Sequence, residues 1–392
     1  MPDCFVLSAC RTPFGRFGGA FRDVPAVELG AVAVKEAVAR AGLAAGDVQE
    51  AILGNCMGAA TLGQVPGRQA ALRAGLSPTT TVLDVNTACT SALVGVEIAF
   101  DRIRHGLASL IVAGGFESMS QVPYTLPGAR FGFRLGNAPI VDALTAALTC
   151  PITGVHMGIY AGRAASAAGI DRAAQDRWAL RSQLAYEAAR AAGHLAGELI
   201  PVDVPTPKGT MTATGDEQPR PDTTYEKLAA LPPAFEAGGT VTAGNAPGLN
   251  DGAAALVLAD GETVQMWGTS PLARIAAAAR AGAPPAEINS VPALAARIAL
   301  LRAGMDAADI DLWEINEAFA AVPLTCIAEL GLDPERVNVN GGAVAIGHPV
   351  GATGARILMA LIYALRHRGG GRGVATLCGA GANGCAVVVE VQ

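Results

Sequence analysis

Arg40-Ala-Gly-Leu-Ala-Ala-Gly-Asp-Val-Gln-Glu-Ala-Ile-Leu53 is met again, in outline, as Arg302-Ala-Gly-Met-Asp-Ala-Ala-Asp-Ile-Asp-Leu-Trp-Glu-Ile315. Gly42 recurs as Gly304, Asp47 as Asp309 and, further along, Arg104-His105 as Arg366-His367, always 262 positions on. In both copies a helix ends at glycine and an Asp-Val or Asp-Ile pair enters an apolar strand. Both continue into a small-residue loop, a helix closing in Arg-His and another apolar strand. Chance supplies one such match easily, but not a constant offset held over several elements. An internal repeat decides architecture before any single element does, and this one predicts two similar α/β halves.

Outward from the repeat, each half alternates apolar strands with Ala-rich helices. Candidate strands are Ala51–Gly54, Leu110–Ala113, Ala254–Leu258, Arg274–Ala278 and Val374–Leu377, and candidate helices are Val27–Ala41, Ser91–His105, Pro292–Ala303 and Gly354–Arg366. This alternation predicts mixed sheets covered by helices. The stretch from about 120 to 241 differs, since eight of the 24 prolines fall between Pro201 and Pro247. Its amphipathic helix, Asp171–Ala192, opens on an Asp cap and closes at Gly193. It reads as a loop domain inserted over a scaffold, where binding residues tend to sit. The expected division is residues 1–119 with 242–268, then 120–241, then 269–392.

Composition narrows the function classes. The 392 residues are 51% hydrophobic and 16% charged, against about 25% charged in ordinary globular chains. That excludes a disordered tail or a charged coiled coil. The 48 glycines follow no collagen period, so they belong in tight turns and close contacts. A net charge of −6 gives no global basic footprint for nucleic acid or anionic membrane, although a few local arginines suffice for a small anionic ligand. The most lipid-like stretch, Ile357–Leu365, is far short of the roughly 20 residues that span a bilayer. The N-terminal residues do not form a signal peptide. Eight cysteines without a C-x-x-C pair point to a reduced, cytoplasmic protein rather than a disulfide framework.

Four segments hold candidate chemistry. Gly379-Ala-Gly-Ala-Asn-Gly384 has G-x-G-x-x-G spacing but precedes a strand rather than a helix, so it reads as a tight strand-to-strand turn carrying Cys378 and not as a dinucleotide site. Asn86-Thr-Ala-Cys89 places a cysteine where an extended segment gives way to a helix. There the helix N-terminus lowers a thiol pKa and favours a nucleophilic thiolate; the alternative is a small buried hydrophobe at a packed turn. Gly341–Gly354 is the most glycine-dense loop and holds His348, either a base for a thiol or a structural histidine. Asn316 in Asn316-Glu-Ala-Phe319 ends a strand, and either bonds loop backbone or fixes a water that polarises a carbonyl.

In order and spacing, Cys89 in N-x-x-C-x-S-x-L, Gly114-Gly-Phe-Glu-Ser-Met-Ser120, Asn316-Glu-Ala-Phe-Ala320, Gly341–Arg356 and Cys378-x-x-G-x-x-G384 resemble the thiolases, from Arg11-Thr-Pro to the C-terminus. The resemblance implies a duplicated five-layer α-β-α-β-α fold with an inserted loop domain, usually in a homotetramer (a dimer of dimers) or homodimer. It implies Cys89 as the nucleophile that carries the acyl group, His348 as its base, Cys378 as the acid–base group at the α-carbon, and Asn316 as holder of an oxyanion-site water. Backbone amides at Cys89 and Ala380 would form a second oxyanion site. The inserted domain resembles a CoA-binding region: His156 and Met157 border the pantetheine arm, Arg220 the adenine end, and Ala243, Pro247 and Leu249 the loop along the arm. Phe235, Ala318 and Phe319 line it. No metal or redox cofactor is implied, only coenzyme A as substrate and product.

Departures from the family pattern bear on specificity. Pro247 stands where a serine is frequent, Ala380 and Ala382 where glycines are usual, and Ile288 where a Met-containing segment is common; Tyr160 and Gly162 replace a usual Thr and Glu. The two alanines are expected to narrow the site or to demand negative φ. The leading expectation is an acetyl-CoA C-acetyltransferase joining two acetyl-CoA into acetoacetyl-CoA, and the alternative is a degradative 3-ketoacyl-CoA thiolase of fatty-acid β-oxidation. A ketoacyl synthase-like condensing enzyme normally pairs its cysteine with two histidines or with His and Asn, and a non-catalytic acyl-CoA-binding protein is expected to have lost one of the four residues.

Overall fold

The computed structural model describes residues 1–58 and 62–392. The two copies of the repeat fold alike down to single hydrogen bonds. Gly42 and Gly304 take left-handed φ values of 72° and 69°, and the amides of Leu43 and Met305 reach back to the carbonyls of Val38 and Leu300 at 3.3 and 3.0 Å. That is the glycine C-cap expected from the sequence. One turn later Asp47 and Asp309 accept from the amides of Ala44 and Asp306 at 3.0 and 2.8 Å.

The first half contains β1 (Cys4–Arg11), α1 (Ala26–Arg40), β2 (Glu50–Gly54), β3 (Thr81–Val85), α2 (Ser91–Arg104) and β4 (Leu110–Ser118). The chain then leaves the sheet through α3 (Met157–Ala167) and α4 (Arg172–Ala191) and returns as β5 (Asn250–Asp260). The second half contains β6 (Ala273–Gly282), α5 (Val291–Ala303), β7 (Leu312–Ile315), α6 (Thr353–His367), β8 (Gly371–Gly379) and β9 (Asn383–Val391). Strand order is β1-β5-β4-β2-β3 in one half and β6-β9-β8-β7 in the other. In the place of β3, Val337 bridges in parallel to Trp313 of β7. β1 and β6 pair antiparallel, Cys4 opposite Ile275, so the halves share one continuous sheet path.

Three apolar clusters separate the layers. α1 packs on one face of the first sheet through Leu29, Val34 and Val38, and α5 covers the outer face of the second through Ala295, Ala296 and Ala299. Between the sheets lie α2 and α6, whose Leu93, Val96, Leu358 and Ile362 share a cluster with residues of both. The order is therefore helix, sheet, helix, sheet, helix. Near their N-termini α2 and α6 touch backbone to side: a Cβ on Gly354 would lie 2.4 Å from the Leu93 amide nitrogen. Only glycine permits this approach, and it brings together the loops that precede the two helices.

The inserted stretch is more regular than its prolines suggest. Besides α4, which is capped by Asp171 through the Ala174 amide at 2.7 Å, it contains α3, two short helices (Ala143–Ala147 and Tyr225–Ala229) and a hairpin of Val202–Thr206 with Gly209–Ala213. The sequence hid α3 because its cap is a histidine: His156 Nδ1 accepts from the Gly158 amide at 3.1 Å. No helix among the described residues is long and apolar enough to cross a membrane.

Candidate functional site

Cys89 precedes α2 by two residues, on a loop held by its own polar atoms. Ser91 Oγ accepts from the Thr87 amide at 2.9 Å and donates to the Ala88 carbonyl at 2.6 Å, while Thr90 Oγ1 donates to the Thr87 carbonyl at 2.7 Å. These bonds hold Ala88 at φ 55°, a left-handed conformation that alanine adopts only under constraint. The backbone amides of Cys89 and Ala380, one from each half, lie near enough to the Cys89 sulfur to favour its thiolate. The thiol nonetheless departs from expectation. Burial pushes it up to about 11, against the lowering by those amides. A helix N-terminus lowers a thiol pKa where water solvates the thiolate, and here packing removes that water.

His348 is buried before α6. Its amide donates to Asn250 Oδ1 at 2.9 Å, and its Nδ1 lies 2.7 Å from Thr353 Oγ1. The Thr353 hydroxyl has one proton and gives it to the Pro349 carbonyl at 2.9 Å, so it accepts from His348. Nδ1 therefore carries the ring proton and Nε2 is the basic nitrogen. Nε2 has no hydrogen-bond partner among the described residues. Burial, and next the Arg356 charge, push this imidazole down to about 3; it is neutral at neutral pH and ready to accept a proton.

Cys378 is the last residue but one of β8, paired with Gly384 of β9, next to the strand-to-strand turn read from the sequence. Burial, then the neighbouring Cys89, raise its thiol well above the ordinary value. Ala382 corrects an expectation: it takes φ 56° rather than a negative value, and its methyl is buried against the second-half core. Left-handed backbone at a non-glycine residue costs about 1–2 kcal/mol, which the packed methyl helps to offset. Asn316, past the end of β7, donates its amide to the Thr376 carbonyl at 3.0 Å. Both polar atoms of its buried side-chain amide lack hydrogen-bond partners among the described residues.

Cys89, His348, Cys378 and Ala380 meet at one cavity of about 680 Å³. Asn316 does not line it, whereas Ala318 and Phe319, two and three residues further on, do. The inserted stretch supplies the outer wall through His156, Met157, Arg220 and Phe235, and the 243–249 loop adds Ala243, Pro247 and Leu249. His156 stacks on Phe235 with centroids 4.6 Å apart and 20° between planes, and Phe235 meets Phe319 edge-on at 6.2 Å. A Cβ on Gly158 would come within 2.3 Å of the Phe235 ring. Asn245 anchors the loop, its Nδ2 donating to Asp176 Oδ1 at 2.9 Å and its carbonyl accepting from the Ala320 amide at 2.9 Å. Arg220 is exposed at the mouth and fixed by its backbone amide, which donates to Gln183 Oε1 at 2.9 Å.

The residue-by-residue reading missed the inner apolar wall. Cys56, Met57, Met119, Leu148 and Val350 face the same cavity, and Ile288, read as a pocket-edge residue, lines it too. Asn250, which holds the His348 loop, and Glu117 under the Cys56–Met57 turn were likewise unread as site residues. The one available signal was position: Cys56 and Met57 follow a strand at the same end of the sheet as Cys89.

Against this geometry the comparisons agree. The profile described as "Thiolase, N-terminal domain" matches residues 4–262 and "Thiolase, C-terminal domain" matches 269–391. Acetyl-CoA acetyltransferase of Escherichia coli K12 is 47% identical over 392 residues, covering 100% of this chain and 99% of the relative. The enzyme of that name from Cupriavidus necator is 45% identical, with 100% of each covered. Among solved structures, the Bacillus anthracis acetyl-CoA acetyltransferase superposes with a TM-score of 0.98 at 41% identity, and human mitochondrial 3-ketoacyl-CoA thiolase with 0.97 at 38%; each comparison covers 100% of this chain and 99% of the other. The chain belongs to the thiolase family.

Proposed function

We propose that the protein is an acetyl-CoA C-acetyltransferase, interconverting two acetyl-CoA with acetoacetyl-CoA and CoA through an acyl-Cys89 intermediate. The observation that carries this reading is the convergence on one cavity of two cysteine thiols and a neutral histidine whose basic nitrogen is free. In the thiolysis direction, His348 Nε2 takes the Cys89 proton as sulfur attacks the 3-keto carbon. The Cα–Cβ bond breaks, the enolate of acetyl-CoA leaves, and the Cys378 thiol protonates it. Incoming CoA returns a proton to Cys378 and its sulfur takes the acyl group from Cys89, which regains its proton from His348. Both thiols begin and end protonated, as their raised pKa values favour. Condensation is the reverse. The amides of Cys89 and Ala380 support the oxyanion at the acyl carbon, and His348 with an Asn316-held water supports the enolate.

The segment 120–241 covers the CoA arm, with His156, Met157 and Phe235 against pantetheine and Arg220 toward the adenine end. A degradative 3-ketoacyl-CoA thiolase is the second reading; the inner wall of Cys56, Met57, Leu148 and Leu249 supports it by offering an acyl chain an apolar surface. We further propose a homotetramer in a reducing cytoplasm. The free edge of β3 with half-exposed Leu83, and the exposed Tyr124, Phe131, Leu135 and Ile140, support burial by further copies, and all eight cysteines are unpaired.

CoA-dependent thiolysis of acetoacetyl-CoA and of a long-chain 3-ketoacyl-CoA, measured side by side, tests the reading. The expected result is turnover of acetoacetyl-CoA well above the long chain, abolished in Cys89→Ala. Faster cleavage of the long chain selects the degradative reading, and activity on neither from folded protein sinks both.

A further inference from the structure

Glu117, the last residue but one of β4, is fully buried and takes no part in the steps above. Its carboxylate meets backbone and side-chain groups from both halves of the molecule. Oε1 accepts from Asn55 Nδ2 at 3.1 Å and from the Met57 amide at 3.2 Å, and Oε2 accepts from the Cys56 amide at 3.0 Å. The Gly351 backbone, three residues after His348, packs against the same carboxylate, and its amide favours the charged form. Gly351 packs so closely that a Cβ on it would lie 2.5 Å from the Phe116 carbonyl and 3.0 Å from Glu117 Oε2.

The turn that Glu117 holds is in turn bonded to the nucleophile loop. The Cys56 carbonyl accepts from Asn86 Nδ2 at 3.1 Å. Its thiol lies 3.0 Å from the Ala88 carbonyl and 3.2 Å from Ser91 Oγ. Ala88 is the left-handed residue immediately before Cys89. One route therefore runs from Glu117 through the Cys56 peptide to Ala88 and Cys89, and a second from Glu117 through Gly351 to the loop carrying His348.

We infer that Glu117 is a positioning residue for the proposed acyl transfer, fixing the spacing of Cys89 and His348 by binding the loop of each to one buried carboxylate. This rests on the thiolase reading of the site. Three hydrogen-bond donors, with no cation paired to it among the described residues, demand a group that only accepts, which a carboxylate is and an amide is not. Burial raises the carboxyl to about 7 while the Cys56, Met57 and Gly351 amides draw it back toward the charged form, so pH 8.5 is the condition at which it acts. A displacement of about 1 Å between reacting groups costs on the order of a hundredfold in rate.

The test is rapid-quench measurement of Cys89 acylation by acetoacetyl-CoA at pH 8.5, with wild type and Glu117→Gln. The burst amplitude counts competent sites and the burst rate reports their geometry. For Glu117→Gln the amplitude per folded chain is expected to stay near wild type, the KM for acetoacetyl-CoA within about threefold, and the rate constant per titrated site to fall about tenfold or more. A loss of amplitude with an unchanged rate constant would mean merely structural support and overturns the inference, as does an unchanged variant. If Glu117→Gln does not fold, Asn55→Ala removes one of the three donors and is expected to slow the same rate constant several-fold; an unchanged constant there also overturns it. A wild type that forms no acyl-Cys89 at all overturns the thiolase reading instead.

Discussion

At the scale of single residues, position and environment pull Cys89 in opposite directions. Standing before a helix argues for a thiolate, and that argument from sequence singled out Cys89 as the proposed nucleophile. Packing around the sulfur wins on charge, raising the thiol to about 11. Below that value the thiolate fraction grows tenfold per pH unit. Iodoacetamide labelling of Cys89, with Cys89→Ala as control, is thus expected to accelerate about tenfold per unit from pH 7 to 10. A plateau below pH 8 would show a thiolate already formed. Cys89, His348, Cys378 and Asn316 were legible because each sits in a segment whose glycines or neighbours restrict it. Cys56, Met57 and Glu117 were not, because a sulfur or carboxyl past a strand end has no local signature of its partners.

At the scale of elements, hydrophobic patterning located most strands and helices of both halves but not β1, which joins them, and the expected glycine caps proved accurate. The sequence shows Gly354 only as one glycine among many in a dense loop. The structure shows α2 and α6 crossing there at a distance no side chain allows. Gly354→Ala drives a methyl into the Leu93 backbone, which cannot rotate away. Overpacking of this kind costs about 1–3 kcal/mol or more, so chemical denaturation is expected to show at least that loss. Turnover should fall as well, since the same contact sets Cys89 against His348; wild-type stability in this variant would contradict the close crossing. α3 was missed for a different reason, as a histidine ring nitrogen is not a capping group one reads from sequence.

At the scale of the whole molecule, Arg11 shows how the inserted stretch is fastened to the scaffold. It bonds Asp216 Oδ1 at 2.6 Å and Glu198 Oε1 at 2.9 Å with no exposure, stacks over Phe14, and shares Asp216 with the Tyr186 hydroxyl at 3.0 Å. Arg11→Leu leaves two buried carboxylates without their cation. Breaking a buried pair in this way costs about 3–5 kcal/mol, a shift that urea unfolding should resolve; a loss under 1 kcal/mol would show the carboxylates find other partners. By itself the sequence determined the duplication, the alternation of strands and helices, and the candidate residues for the proposed chemistry. Those follow from periodicity and from restrictions within a few neighbours along the chain. Only the tertiary structure decided that loops 262 positions apart face one cavity, that burial rather than the helix dipole sets the Cys89 thiol, and that Glu117 joins both loops. Each of these depends on what packs around a group from distant parts of the chain, and no local pattern carries that information.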